Sequence, residues 1–325
     1  MMGIRFFGDA GWRMIFAAAA VMIGFASYGQ DVGLPDGPRW VAGKDLLLAT
    51  EQAGQRLVLI DPARALQAAD QIDPVSKAIV WEWSGMTDSS IPAPQRKWFA
   101  LPSEIKTSAD KKTIYFTCSG GAIGAVDVKS RRLRWYTFSG SNPHSIEPLP
   151  DGNVATASSN GNFVKIYFTK GRKGYVDSAA FSKVTLTTAH NIIWDAHVSL
   201  LWSAGLTEIA GWEYVDGGLR EVCRLALPGR DGHDLVRYDD STLLLSTGDG
   251  LWLFHTQTRA FTRYEGCGVY KGVKSISFAG GKDDPHSRII VVYPNESWWS
   301  DRIYNCDGSV FYRMAGARFY KVRFW

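Results

Sequence analysis

Beyond about residue 40, the chain alternates short apolar runs with clusters of Gly, Asp, Asn and Pro. Asp45–Thr50 (DLLLAT), Thr113–Cys118 (TIYFTC), Leu243–Thr247 (LLLST) and Arg288–Tyr293 (RIIVVY) are typical. Runs this short, rich in β-branched and aromatic residues and bounded by turn formers, predict strands. Helical periodicity never persists there for more than about two turns, and Ala63–Asp70 is the one short-helix candidate. The pattern predicts an all-β fold.

The strands recur as a unit. Ser103-Glu104-Ile105-Lys106, His144-Ser145-Ile146-Glu147, His190-Asn191-Ile192-Ile193, His233-Asp234-Leu235-Val236 and Lys274-Ser275-Ile276-Ser277 each open a strand–turn–strand segment. Their spacings are 41, 46, 43 and 41 residues. A repeat of that length, built from strands, is the mark of propeller blades. A sixth blade is shared between the termini: Asp45–Thr50, Arg56–Ile60 and Lys77–Trp83 supply three strands and Arg318–Trp325 the inner one. Closing the circle with the last strand removes the free sheet edges that invite aggregation. Seven blades are the alternative, but the chain leaves little material for another.

In a propeller, the innermost strands line a central channel and their first residues meet at one mouth. The predicted column of openers is Lys321, Ser103, His144, His190, His233 and Lys274. Three adjacent imidazoles can hold a divalent transition metal, with ligand nitrogens at about 2.1 Å. Flanked by two lysines, they can instead capture a carboxylate and offer a proton donor or acceptor near neutral pH. The bland alternative is that each imidazole bonds the backbone of a neighbouring blade and helps to close the ring. Glu104 and Asp234 lie beside the column as orienting groups or bases, and Glu147 stands with them, although strand alternation turns some of them away. His197, His255 and His286 are expected in solvated turns or outer strands. Trp298, in the loop Asn295–Trp299, can stack on a sugar ring, although packing between blades is the commoner use of Trp.

Composition narrows the function classes. With 46% hydrophobic and 21% charged residues, the chain has the apolar surface that a disordered protein lacks. A net charge of +4 without a basic run argues against nucleic acid as a partner. Residues 1–29 read as a signal peptide: Arg5 and Arg13 precede the apolar run Met14–Ala26, and small residues stand before a cleavage point after Gly29. The mature domain is then residues 30–325, a single propeller, secreted or periplasmic and monomeric, with no later span long enough to cross a membrane as a helix. Export permits disulfides among Cys118, Cys223, Cys267 and Cys306, with three pairings open and free thiols an equal alternative. No GxSxG, HExxH, P-loop, dinucleotide fingerprint or Asp box is present. A site assembled from several blades leaves no such local signature.

The segments PHSIEPLPDGNVATASSNGN, AHNIIWD followed by LLWSAG, GHDLVRYDDSTLLLSTGDGLWLF and the closing FYKVRFW resemble a family of secreted six-bladed propellers of unknown function from glycan-degrading bacteria. The resemblance covers about residues 45–325 and implies the fold without an activity. By looser analogy, propeller polysaccharide lyases and rhamnosidases acting on uronate-containing glycans use His and basic residues at the channel mouth. In this chain His144, His190, His233, Lys274 and Lys321 meet that pattern, with Ser103, Glu104, Asp234 and Trp298 as further contacts. The expectation is a propeller that binds an acidic oligo- or polysaccharide and cleaves it, if catalytic, by β-elimination, with a divalent metal on the three His as the candidate cofactor. A non-catalytic glycan- or protein-binding propeller with a structural His ring is the second expectation.

Overall fold

The computed structural model describes residues 46–67, 77–177, 180–268, 271–279 and 288–325. The predicted signal peptide and His286 lie outside these residues. Six sheets form a six-bladed β-propeller. Counted from the inner strand outwards, blade 1 is Phe319–Phe324, Leu47–Glu51, Arg56–Ile60 and Ile79–Trp83, so the last strand of the chain closes the ring. The inner strands of blades 2 to 6 are Pro102–Thr107, Pro143–Pro148, Asn191–Asp195, Asp234–Asp239 and Ser275–Ala279. Blade 2 gains a fifth, two-residue strand, Gly174–Tyr175, which pairs in parallel with Trp135 and Tyr136.

Side-chain alternation explains the closure. Within blade 1, Leu48, Leu57, Leu59, Trp81 and Trp83 pack with Ile105, Ile114 and Phe116 of blade 2. Leu47, Ala49, Val58 and Ile60, one residue out of phase, pack with Ile290, Val292 and Ile303 of blade 6. A strand with two apolar faces must bury both, and each blade does so against its two neighbours. Trp202, fully buried, packs against Phe254 with ring centroids 4.8 Å apart, joining blades 4 and 5. Its cross-strand partner is Gly211, where an added Cβ would lie 2.7 Å from the indole. The flat glycine makes room for the ring; a side chain there would force Trp202 aside.

Helical content exceeds the expectation slightly. The candidate at Ala63–Asp70 is observed as Pro62–Gln67, and a further short helix, Ala93–Arg96, runs into a 3-10 turn at Lys97–Phe99 ahead of blade 2. Pro92, Pro94 and the buried Phe99 start and anchor that insertion rather than a periodic apolar face, which is why pattern reading passed over it. One disulfide is made, so none of the three complete pairings is realised: Cys267 is bonded to Cys306, while Cys118 is buried and free and Cys223 is half-buried and free. Burial pushes the Cys118 thiol far above its ordinary pKa, so it stays protonated.

Each inner strand enters the channel through a bulge. Pro102 pairs with Cys118 and Glu104 with Thr117, leaving Ser103 extra; Pro143 pairs with Ser158 and Ser145 with Ala157, leaving His144 extra. In blades 4 to 6 the N–H groups of His190, His233 and Lys274 donate to the carbonyls of Ala204, Ser246 and Val292. Those same residues are the register partners of Asn191, Asp234 and Ser275, one position further on. Blade 1 slips alike: Phe319 pairs with Glu51 and Val322 with Ala49, so two residues share Thr50. Bulges re-aim side chains, and here they turn the opening residue of each blade towards the mouth.

This geometry corrects the predicted register of blade 1. The buried apolar residue two positions after each opener is Ile105, Ile146, Ile192, Leu235 or Ile276, and in the last strand it is Val322. The opener of blade 1 is therefore Tyr320. Lys321 stands one position deeper, level with Glu104 and Asp234.

Candidate channel-mouth site

The three predicted histidines do meet. The rings of His144 and His190 have centroids 4.5 Å apart, as do those of His190 and His233. His144 and His190 retain 9% of their surface and His233 5%, so the cluster is nearly buried. Tyr320 bridges the outer two: its hydroxyl lies 2.9 Å from Nε2 of His233 and 3.2 Å from Nδ1 of His144. Nδ1 of His190 faces the Thr188 carbonyl at 2.9 Å. A carbonyl only accepts, so Nδ1 carries the proton and Nε2 is left with a bare lone pair.

Burial, then the neighbouring imidazoles and lysines, holds His144 well below the usual imidazole range. Burial also lowers His190, and it brings His233 down to about 3 despite the pull of the nearby Asp231 carboxylate. All three rings are neutral at pH 7, which is the state that binds metals.

Asp231 completes the group, and it was not foreseen. Its Oδ1 lies 3.7 Å from Nδ1 of His233 and its Oδ2 3.7 Å from Nζ of Lys274. Among the described residues His190, Asp231 and His233 form the one cluster with metal-ligating spacing, their ligand atoms all within 4.8 Å of one another. His144, the third ligand expected from sequence, is instead engaged with Tyr320. The His233 imidazole beside it, then Lys274 and His190, keep the Asp231 carboxyl far below its ordinary pKa, so it is ionised.

Asp231 has a signal of its own. It lies two residues before an opener with φ 62°, and Leu101, Asn142, Thr188 and Gly272 occupy the same offset with φ of 55°, 57°, 52° and 65°. In five blades a left-handed residue turns the chain into the mouth. Asn, Asp and Gly are the types that tolerate this backbone, so their spacing ahead of the openers could have pointed to the position.

The remaining predicted residues divide into two groups. Glu104, Asp234 and Lys321 sit one layer deeper, essentially without solvent contact. Lys321 Nζ donates to Asp234 at 3.0 Å and to the His233 carbonyl at 3.0 Å. Arg323 binds both oxygens of Asp234, at 2.7 and 2.9 Å, and reaches Glu104 at 2.9 Å. Ser145 donates to Glu104, and Asn191 and the Ile276 N–H donate to Asp234. Burial alone would raise the Asp234 carboxyl, but Arg323 and Lys321 hold it well below the carboxylate range. Glu147 belongs to a further layer, bound to Lys106 at 2.7 Å and to the Trp194 N–H. Ser103 bonds Thr117 and the Pro143 carbonyl and is sealed off from solvent.

Lys274 and Trp298 remain in reach of solvent. Burial lowers the Lys274 ammonium below its ordinary range, against the pull of Asp231. Trp298 is 49% exposed, and its indole N–H donates to Gln52, whose own amide donates to the carbonyl of Pro102 beside Ser103. The exposed indole is thus tethered to the rim of the mouth. His197 is exposed in a turn, as expected, whereas His255 is half-buried at the end of a third strand, 3.3 Å from the Thr242 hydroxyl.

The model of DUF6528, a family of unknown function, matches residues 51–325. The chain belongs to that family. Among solved structures, a protein of unknown function from Bacteroides caccae matches this DUF6528 member at TM-score 0.55 and 11% identity, over 86% of this chain and 98% of that one. The hydrazine synthase of Kuenenia stuttgartiensis matches at TM-score 0.48 and 12% identity, over 67% of this chain. The dihydro-heme d1 dehydrogenase NirN, in complex with DHE, matches at 0.47 and 12%, over 89% of this chain. The chain spans 64% and 55% of those two proteins. At such identities the likeness is one of fold. No curated protein matches the sequence.

Proposed function

We propose that the channel mouth holds a divalent transition metal on His190, His233 and Asp231, and binds there a carboxylate of an acidic, uronate-containing glycan. The observation that carries this reading is the convergence of those three ligand atoms within 4.8 Å, with partly exposed Asp231 beside a nearly buried imidazole cluster. Two neutral imidazoles and an ionised carboxylate are a donor set suited to zinc and its neighbours, with coordination positions left for water or substrate. When bound, the metal supplies Lewis acidity towards the uronate carboxylate.

The chain's own residues do the rest. Trp298 offers an exposed face for a sugar ring at the rim. In a β-elimination, Lys274 in its deprotonated amine form takes the proton α to the carboxylate, a form that burial makes more accessible by lowering its pKa. The C–H electron pair forms the new double bond, and the glycosidic oxygen leaves with a proton donated by His144. The protein acts as an exported monomer without nucleic acid as a partner. The Cys267–Cys306 disulfide is compatible with an oxidising compartment, and among the described residues no helix is long and apolar enough to cross a membrane.

One observation favours a second reading: every imidazole in the cluster already has a protein hydrogen-bond partner. On that reading the ring is structural and the propeller binds a glycan or a protein without cleaving it. Metal analysis of the purified protein, followed by incubation with uronate polysaccharides while monitoring absorbance of new unsaturated ends, separates the two. Stoichiometric metal with new absorbance supports the lyase; a metal-free protein that binds on a glycan array supports the structural ring.

A further inference from the structure

Tyr320 is a buried hydroxyl with two imidazoles and one proton to share between them. Its oxygen is 2.9 Å from Nε2 of His233 and 3.2 Å from Nδ1 of His144. It can donate in one direction only, so the other imidazole must donate to it. Two settings exist. In the first, Tyr320 donates to His233, whose proton is then on Nδ1, and His144 donates from its own Nδ1. In the second, His233 donates from Nε2, Tyr320 donates to Nδ1 of His144, and the His144 proton is on Nε2.

The groups facing Nδ1 of His233 pull in opposite senses. Asp231, at 3.7 Å, favours a proton there, whereas the Lys274 ammonium, at 3.5 Å, favours a lone pair. Without metal the chain is therefore divided between the two settings. A metal shared with Asp231 needs that lone pair and permits only the second. This inference rests on the metal reading above.

We propose that Tyr320 is a positioning residue that ties metal occupancy at His233 to the tautomer of His144, so that a loaded mouth holds the His144 proton on Nε2, available for donation. Going from the first setting to the second, His233 gives up its Nδ1 proton at the mouth. The Tyr320 proton passes to Nε2 of His233, the His144 Nδ1 proton passes to Tyr320, and His144 takes one proton at Nε2. The proton count and the charge of the chain are unchanged. His190 is the internal reference, because the Thr188 carbonyl keeps its proton on Nδ1 in both settings.

The test is histidine ¹⁵N NMR of the full protein titrated with Zn²⁺ alone, beside Tyr320→Phe, which keeps the ring and loses the hydroxyl. In the wild type, Zn²⁺ should convert His144 to the Nε2–H tautomer while His190 stays as it was. Tyr320→Phe should bind Zn²⁺ about 10–100-fold more weakly, the usual effect of losing an outer-shell partner, and its His144 should no longer respond. Failure of the wild type to bind Zn²⁺ overturns the metal reading and this inference together. Wild-type binding with His144 carrying its proton on Nδ1, or undiminished affinity in Tyr320→Phe, overturns the relay alone. The wild-type spectrum decides the matter even if the variant does not fold.

Discussion

Two layers of the channel lie one residue apart along the same six strands and behave in opposite ways. The deeper layer holds Glu104, Asp234 and Lys321 with Arg323 reaching in, two anions against two cations. Its carboxylates are multiply hydrogen-bonded, so its charges are spent on one another. The mouth layer holds His144, His190, His233, Lys274 and Tyr320, where the protons have alternative places and imidazole lone pairs remain. Saturated networks specify structure, whereas partly committed ones at an accessible edge are where ligands bind. Asp234 and Asp231, three residues apart, illustrate the contrast: one is locked by Arg323, and the other faces Lys274 and His233 at longer range.

The sharpest way to break this comparison is Arg323→Met. It leaves buried Glu104 without a cation and Asp234 with Lys321 alone, and should destabilise the fold by about 3–5 kcal/mol, read as a shift in the urea midpoint or loss of soluble protein. A cost near zero would mean that the deep layer is not structural.

Next is the pH dependence of the metal-free protein. Burial puts the folded pKa values of the mouth histidines below the unfolded value of about 6.5, with His233 at about 3. The unfolded chain binds the extra protons, so stability is greatest above about pH 6.5 and falls as pH drops below it. For His233 the loss continues down to about pH 3. The slope approaches ~1.4 kcal/mol per pH unit for each histidine. Urea midpoints measured downward from neutral pH should show it, and a His144/His190/His233→Asn triple variant should flatten it.

Asp231→Asn addresses the mouth alone. It should lower Zn²⁺ affinity by more than about tenfold, since even outer-shell changes cost that much, while the thermal midpoint of the metal-free protein barely moves. Calorimetric titration checks the first and a melting curve the second. The smallest effect is expected at Thr188, a β-branched residue held at φ 52°. Thr188→Gly should relieve strain of about 1 kcal/mol, partly offset by the entropy of a freer unfolded chain, and leave the His190 carbonyl contact intact.

Legibility followed the repeat. Openers at 41- to 46-residue spacing were readable because every blade solves the same packing problem with the same alternation. That was enough to bring His144, His190 and His233 to one level. The final strand was read one residue out of step, by its charge at Lys321 rather than by Val322, the buried apolar residue that sets the phase. Asp231 escaped because it precedes the repeated strand in a loop.

The sequence by itself determined the all-strand fold, the number of blades and the closure by the last strand, since these follow from periodic burial and local turn chemistry. Only the tertiary structure decided which ionisable groups neutralise each other. Arg323 meets Asp234 across 89 residues and Glu104 across 219. Such pairings depend on the angle at which blades face across the axis, and no local pattern encodes that angle. The mouth owes its unspent imidazoles to the same cause: they face one another at a level where no cation or carboxylate reaches in to claim them all.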